Sequence, residues 1–160
     1  MAIPGMDAAS FVKMLMDPNT QIQPAGVDLT VKQVYGIEGK LVLGVGKRVL
    51  PRYAPIPDDE GVWSLPPGVY KIMFNEVVEI PSDAVALCFP RSTLLRSGVV
   101  LMCTVWDPGY VGRGEALLHI INPNGFALER GARVAQLVFI KLVKPPHKTY
   151  QGMYLGENLE

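Results

Sequence analysis

The chain has 160 residues, 49% of them hydrophobic, and its 15 Lys and Arg are balanced by 15 Asp and Glu. That length suits one domain with a sizeable core rather than two. Zero formal charge argues against polymeric nucleic acid as a partner, because gripping it takes a basic excess. The apolar runs stop short of a membrane span and residues 1–5 lack a basic signal region, so a soluble cytoplasmic protein without membrane contact is expected.

Along the chain, Asp7 is placed to cap a short helix carrying Phe11, Val12, Leu15 and Met16, with Asp17-Pro18 ending it. No later segment keeps a helical period. Short apolar stretches recur instead at about 28–35, 40–45, 68–74, 84–89, 98–106, 115–122, 126–129 and 133–143, punctuated by 16 Gly and 14 Pro. The pattern predicts an all-β sandwich, jelly roll or barrel. Residues 51–67, rich in proline, read as a long surface loop. There is no repeat and no linker, so residues 1–160 read as a single domain, the stretch from about 145 to 160 being a tail.

Cys88 and Cys103 lie in apolar runs without CxxC spacing, which suits buried thiols better than ligands or a disulfide. With only two histidines, His119 and His147, a structural zinc site is not expected.

Four polar clusters interrupt the apolar strands. In Gln23-Pro24-Ala25-Gly26-Val27-Asp28-Leu29, Asp28 is a turn residue or a site residue. Residues 90–98 bring Arg91 and Arg96 together with Ser92, Thr93 and Ser97, a set suited to phosphate oxygens or to a solvated turn. Asp107 ends an apolar strand before Pro108-Gly109. There it either starts a turn or, partly desolvated, takes a proton from water, and Tyr110 can fold back beside it. Gln136 sits inside an apolar strand and needs a partner, from a pocket or from a neighbouring strand, since a buried unpaired amide costs about 1–3 kcal/mol.

In this order and spacing the clusters resemble the dUTPase and dCTP deaminase superfamily. Ala25 to Leu29 is similar to its Ala-Gly-x-Asp-Leu motif, Pro90 to Thr93 to Pro-Arg-Ser-Ser, Asp107 and Tyr110 to Asp-x-x-Tyr, and Gly131 to Gln136 to Gly-x-Arg-x-Ala-Gln. The likeness spans about residues 20–155 and looks closest to the deaminase-related, archaeal-type branch; the glycine-rich fifth motif of ordinary trimeric dUTPases is missing. It implies a distorted β jelly roll (a β-clip, dUTPase-like) with a short N-terminal helix, assembled as a homotrimer with active sites at subunit boundaries.

The superfamily runs two chemistries. A dUTPase cleaves the α–β phosphoanhydride, whereas a deaminase uses a strand Glu three residues before an Asn. Counting back three from Asn122 gives His119, and the deaminase spacing from Asp107 gives Leu117. Glu115 shares the face of His119 but lies roughly 13 Å away along the strand. The resemblance therefore implies a Mg²⁺-dependent dUTP pyrophosphatase, with a dCTP deaminase or bifunctional enzyme and a non-catalytic nucleotide-binding regulator as alternatives. It implies Asp107 as general base; Arg91, Ser92, Thr93, Arg96 and Gln136 on phosphates; Tyr110 against the deoxyribose; and the backbone of 99–106 on the uracil edge. Lys148 and Tyr150 would belong to a C-terminal lid, and Asp28 would organise metal-bound water or be structural. His119 would face the pocket or be a satisfied core histidine.

Overall fold

The computed structural model describes residues 1–159. Three short helices, α1 (Gly5–Ala8), α2 (Pro18–Gln21) and α3 (Ser92–Arg96), decorate an otherwise β molecule. Its principal strands are β1 (Gly26–Glu38), β2 (Arg52–Pro55), β3 (Gly68–Phe74), β4 (Ala84–Pro90), β5 (Val99–Met102), β6 (Val105–Trp106), β7 (Glu115–Ile120) and β8 (Arg133–Lys141). They form a nine-stranded sheet in the order β5-β7-β3-β1-β8-β4-β6, with Ile22–Gln23 and β2 also pairing with β1. Among the described residues its strands pair antiparallel.

β1 explains how the sheet curls. Its first half pairs with β8 and its second half with β3 and β2, and register shifts fall between Val31 and Gln33 and between Arg133 and Ala135. Bulges of this kind bend a strand and increase its twist. Gly26 to Val31 are buried without alternation, as expected where both faces of a strand are covered. Leu29, Ile72, Phe74, Leu118, Leu137 and Phe139 fill the core between the curled halves.

The N-terminal expectation needs correcting. Only Gly5–Ala8 is α-helical, followed by a 3₁₀ turn at Ala9–Phe11; Val12 is already extended and Met14 has φ 62°. Asp17-Pro18 does not end a helix but starts α2. The Asp17 carboxylate accepts from the Asn19 N–H at 3.1 Å, and Pro18 occupies the first helical position, where no N–H is needed.

Residues 51–67 are not a loop either. β2 pairs with the end of β1, and Val62–Leu65 pairs with Phe126–Glu129. Trp63 is buried there, donating its indole N–H to the Ile56 carbonyl at 2.9 Å. The expected strand 98–106 is broken: β5 pairs with β7, whereas β6 pairs with β4, so the chain changes partners at residues 103–104. The stretch at 40–45 contributes only Val42–Leu43, which pairs with Arg48–Val49 in a projecting hairpin. No helix is long and apolar enough to cross a membrane among the described residues.

Candidate functional site

The basic residues converge on Asp28. Its carboxylate is 2% exposed and meets Arg91 Nη1 at 3.2 Å and Arg133 Nη1 at 3.3 Å. Gln136 lies opposite Asp28 in the β1–β8 ladder and donates to the same carboxylate. Burial pushes the Asp28 carboxyl above its ordinary range, while Arg91 and Arg133 pull it back. Gln136 thus has its partner on the neighbouring strand. Ser92 and Thr93 open α3, exposed beside Arg91, and Arg96 is exposed at the last position of that helix.

Gly26, two residues before Asp28, has a steric role. A Cβ there would stand 2.2 Å from the Leu137 carbonyl oxygen, so only glycine lets β8 approach closely enough to set Gln136 on Asp28.

Asp107 stands elsewhere. Asp107 to Tyr110 form a tight turn, with the Tyr110 N–H donating to the Asp107 carbonyl at 3.1 Å and Gly109 at φ 83°. Proline at the second position and a positive-φ glycine at the third make this a type II turn. Ile80 clamps it through Gly109 N–H to Ile80 O at 3.0 Å and Ile80 N–H to Tyr110 O at 2.8 Å. The Asp107 side chain is exposed at the mouth of a cleft of about 340 Å³, whose lining includes Trp106, Tyr110, Glu115, Tyr150 and Glu157.

The tail reaches this cleft. Tyr150 donates its N–H to the Pro108 carbonyl at 2.7 Å and Gly156 to the Val111 carbonyl at 2.8 Å. The Tyr110 ring is edge-on to Trp106 at 5.3 Å and to Tyr150 at 5.8 Å, and its hydroxyl donates to Glu157 Oε1 at 2.7 Å. Within one chain, then, Tyr110 is a buried wall covered by the tail rather than an open sugar platform. Lys148 and Tyr150 line a second depression with Asp107, on the side of the turn and not of the arginines.

One chain does not bring Asp107 to Arg91. In the β4–β6 ladder Trp106 faces Ala86, whereas Arg91 follows the far end of β4. At ~3.3 Å per residue the two Cα atoms are roughly 20 Å apart, beyond the reach of both side chains.

The dCTP deaminase-like family matches residues 7–142. This chain belongs to the dCTP deaminase-like family. Within it, the chain is 48% identical over 141 residues to a probable deoxyuridine 5'-triphosphate nucleotidohydrolase of Aeropyrum pernix, covering 88% of this chain and 89% of that one. It is 38% identical to the deoxyuridine 5'-triphosphate nucleotidohydrolase of Methanocaldococcus jannaschii, over 85% and 88% of the two chains. Among solved structures, 2'-deoxycytidine 5'-triphosphate deaminase of Agrobacterium tumefaciens superposes with TM-score 0.64 at 20% identity, covering 86% of this chain and 47% of that longer one. The dUTPase of EIAV superposes with TM-score 0.52 at 14% identity over 90% and 93%. The fold is shared across the family: a jelly roll, mostly strand, with short N-terminal helical turns.

His119, three residues before Asn122, lies half-buried on the outer side of β7, opposite Val69 and Val100. It is neither in the Asp107 cleft nor in the core. Glu115 does line that cleft, but its Oε1 is held by Lys71 Nζ at 2.6 Å. Lys71 in turn lies over the rings of Tyr53 and Tyr35, at 3.9 and 4.5 Å from their centroids.

Sequence reasoning passed over Arg133, although it lies in the Gly131–Gln136 motif. Strict alternation puts Arg133 and Gln136 on opposite faces, and only the bulge after Arg133 turns both towards Asp28. Glu157 gave no signal, because its role depends on where the tail folds. Among the described residues, no three or more His, Cys, Asp or Glu are placed to hold a metal ion. Asp28 is engaged by guanidiniums, so the donor set suits an ion carried by phosphate oxygens and water rather than a resident one.

Proposed function

We propose that this chain is a dUTP pyrophosphatase that hydrolyses dUTP to dUMP and pyrophosphate, with Mg²⁺ accompanying the triphosphate. The observation that carries this reading is the state of the two strand positions that could serve deamination. Position 119 is a histidine outside the cleft, and the Glu115 carboxylate is tied to Lys71 at 2.6 Å. Asp107, by contrast, is exposed at the cleft mouth without a salt-bridge partner among the described residues. The names of the archaeal relatives support the same substrate.

In this reading Asp107 takes the proton from a water aligned for in-line attack on the α-phosphorus. Arg91, Ser92, Thr93, Arg96 and Gln136 hold the phosphates, with Arg133 added to that set. The guanidiniums are aimed beforehand by Asp28, so their donors need little reorganisation on binding. Mg²⁺ bound through phosphate oxygens would spread the charge that develops there. Tyr110 and Tyr150 form the aromatic side of the site, and Lys148 a cation at its edge. Because Asp107 and Arg91 lie roughly 20 Å apart in one chain, the complete site needs two copies, which supports a homotrimer with sites at subunit boundaries. The bifunctional alternative rests on one observation, that Glu115 lines the same cleft as Asp107.

Incubation with dUTP, dCTP, dTTP or UTP and Mg²⁺, followed by separation of products, tests the reading. dUMP and pyrophosphate should form from dUTP alone; dUTP or dUMP formed from dCTP would establish deamination instead. In Asp107→Asn turnover should fall by about 10²–10⁴ with nucleotide affinity nearly unchanged, and unchanged turnover would remove Asp107 from the mechanism.

A further inference from the structure

The two cysteines, separate in sequence, meet in the fold. β4 and β6 pair Leu87 with Val105 and Ala86 with Trp106, so Cys88 directly follows the last pair on β4 and Cys103 lies two residues before it on the other side. Strand spacing and rise put the two Cα atoms about 6 Å apart, inside the roughly 4.4–6.8 Å that disulfides span. The thiols are near enough for Cys103 to raise the Cys88 thiol, and both half-buried side chains pack against the core. Residues 103–104 belong to no strand, so this stretch can adjust its side-chain direction without breaking a ladder. Phe89, Met102 and Val105, which flank the pair in sequence, are each about half exposed, at 52%, 56% and 54%.

We propose that Cys88 and Cys103 are a disulfide-forming pair, oxidised by a small-molecule disulfide of the glutathione type, that staples the strand leading into Asp107 to β4. Cys103, together with burial, holds the Cys88 thiol well above its ordinary range. Cys88 is held within β4 whereas Cys103 lies outside any strand, so Cys103 is the attacking sulfur. It loses its proton to solvent, bonds to one sulfur of the small disulfide and breaks that S–S bond; the departing small thiolate takes up a proton. Cys88 then attacks the Cys103 sulfur, expels the second small thiolate and passes on its proton. Two protein thiols and one small disulfide become one protein disulfide and two small thiols, with two electrons transferred to the small disulfide.

The bond would close a loop of about fifteen residues containing α3 and β5, and would reinforce β6, which only two residue pairs tie to β4. It would thereby fix the hairpin of Asp107 relative to the strand that ends beside Arg91. The inference rests on the pairing of two strands and is independent of the hydrolase reading.

Incubating the purified protein with oxidised glutathione at mildly alkaline pH, then measuring intact mass, thiols alkylated after denaturation and linked peptides, tests it. The expected product has lost two hydrogens and both free thiols, contains one peptide linking residues 88 and 103 within a chain, and melts about 5–10 °C higher until reductant is added. Cys88→Ser should stop at a mixed disulfide on Cys103. Two thiols still open to alkylation, under conditions that oxidise a control dithiol peptide, would overturn the proposal. So would a link between two chains, or an equal rise in melting temperature in the Cys88→Ala, Cys103→Ala double variant.

Discussion

Glu76 shows how much of the arginine cluster rests on a residue remote from it in sequence. Its carboxylate is fully buried and accepts from Gln21 Nε2 at 2.7 Å, the Thr30 N–H at 2.9 Å and Thr30 Oγ1 at 2.7 Å. Gln21 also donates to the Asp28 carbonyl at 2.9 Å, so α2, β1 and Asp28 are tied through one acidic side chain. Burial raises the Glu76 carboxyl above its ordinary range despite these bonds. Glu76→Ala leaves buried donors without partners and should cost about 2–4 kcal/mol, seen as a lower denaturant midpoint. Gly26→Ala forces a methyl group onto the Leu137 carbonyl, which is backbone and cannot swing aside. It should cost about 3 kcal/mol or more and loosen Gln136 from Asp28, checked by urea unfolding. Here the sequence was partly legible. Gly26, Asp28 and Gln136 stood out as a glycine and polar residues among apolar neighbours, whereas Arg133 and Glu76 did not. One depends on a bulge, the other on a contact spanning 46 residues, and neither leaves a local pattern.

At the scale of elements, the turn at Asp107 was readable because Pro108-Gly109 specifies its geometry locally. The tail that covers it was readable only as a tail. Glu157 is placed by the Tyr110 hydroxyl and by Arg113, whose backbone N–H donates to the Glu157 carbonyl at 3.0 Å. Burial first, and the nearby Glu115 carboxylate, raise the Glu157 carboxyl above 4.5, while the Tyr110 hydrogen bond and Lys71 oppose them. The folded state therefore holds this proton more firmly than the unfolded chain does. The stability this contributes is complete below pH 4.5 and is lost as pH rises through the raised folded value. Glu157→Gln cannot titrate, so the melting temperature of the natural chain minus that of the variant should fall as pH rises from 4.5 through the raised folded value. A difference that stays level across that range would mean that Glu157 folds without a raised carboxyl. The strands within residues 51–67 escaped the sequence for a different reason: their prolines lie at strand ends, where no ladder N–H is lost, and imitate a loop.

The whole molecule divides its chemistry between two places, the Asp107 cleft and the Asp28 cluster, which a single chain keeps apart. All-β character, the strand-rich core and all four polar clusters were legible from apolar runs and the residues that interrupt them. Their separation was not, because it follows from the order β1-β8-β4-β6, which no local signal encodes. If sites form between copies, inactive Asp107→Asn and Arg91→Ala chains refolded together should regain activity, approaching about a quarter of the natural value when mixed equally. Mixtures no more active than either parent would place the whole site within one chain.

The tail's course also governs what can be attached to this protein. Asn158 donates to the Arg113 carbonyl at 3.0 Å and to Glu115 at 3.3 Å, so a bulky group attached at residue 158 would sit beside the Asp107 cleft. Met1 is 95% exposed and its carbonyl accepts from Lys141, at the far end of β8 from Arg133. An affinity handle or fluorophore joined at the first residue therefore keeps clear of the Arg91 and Arg133 cluster, and one joined at residue 158 crowds the cleft.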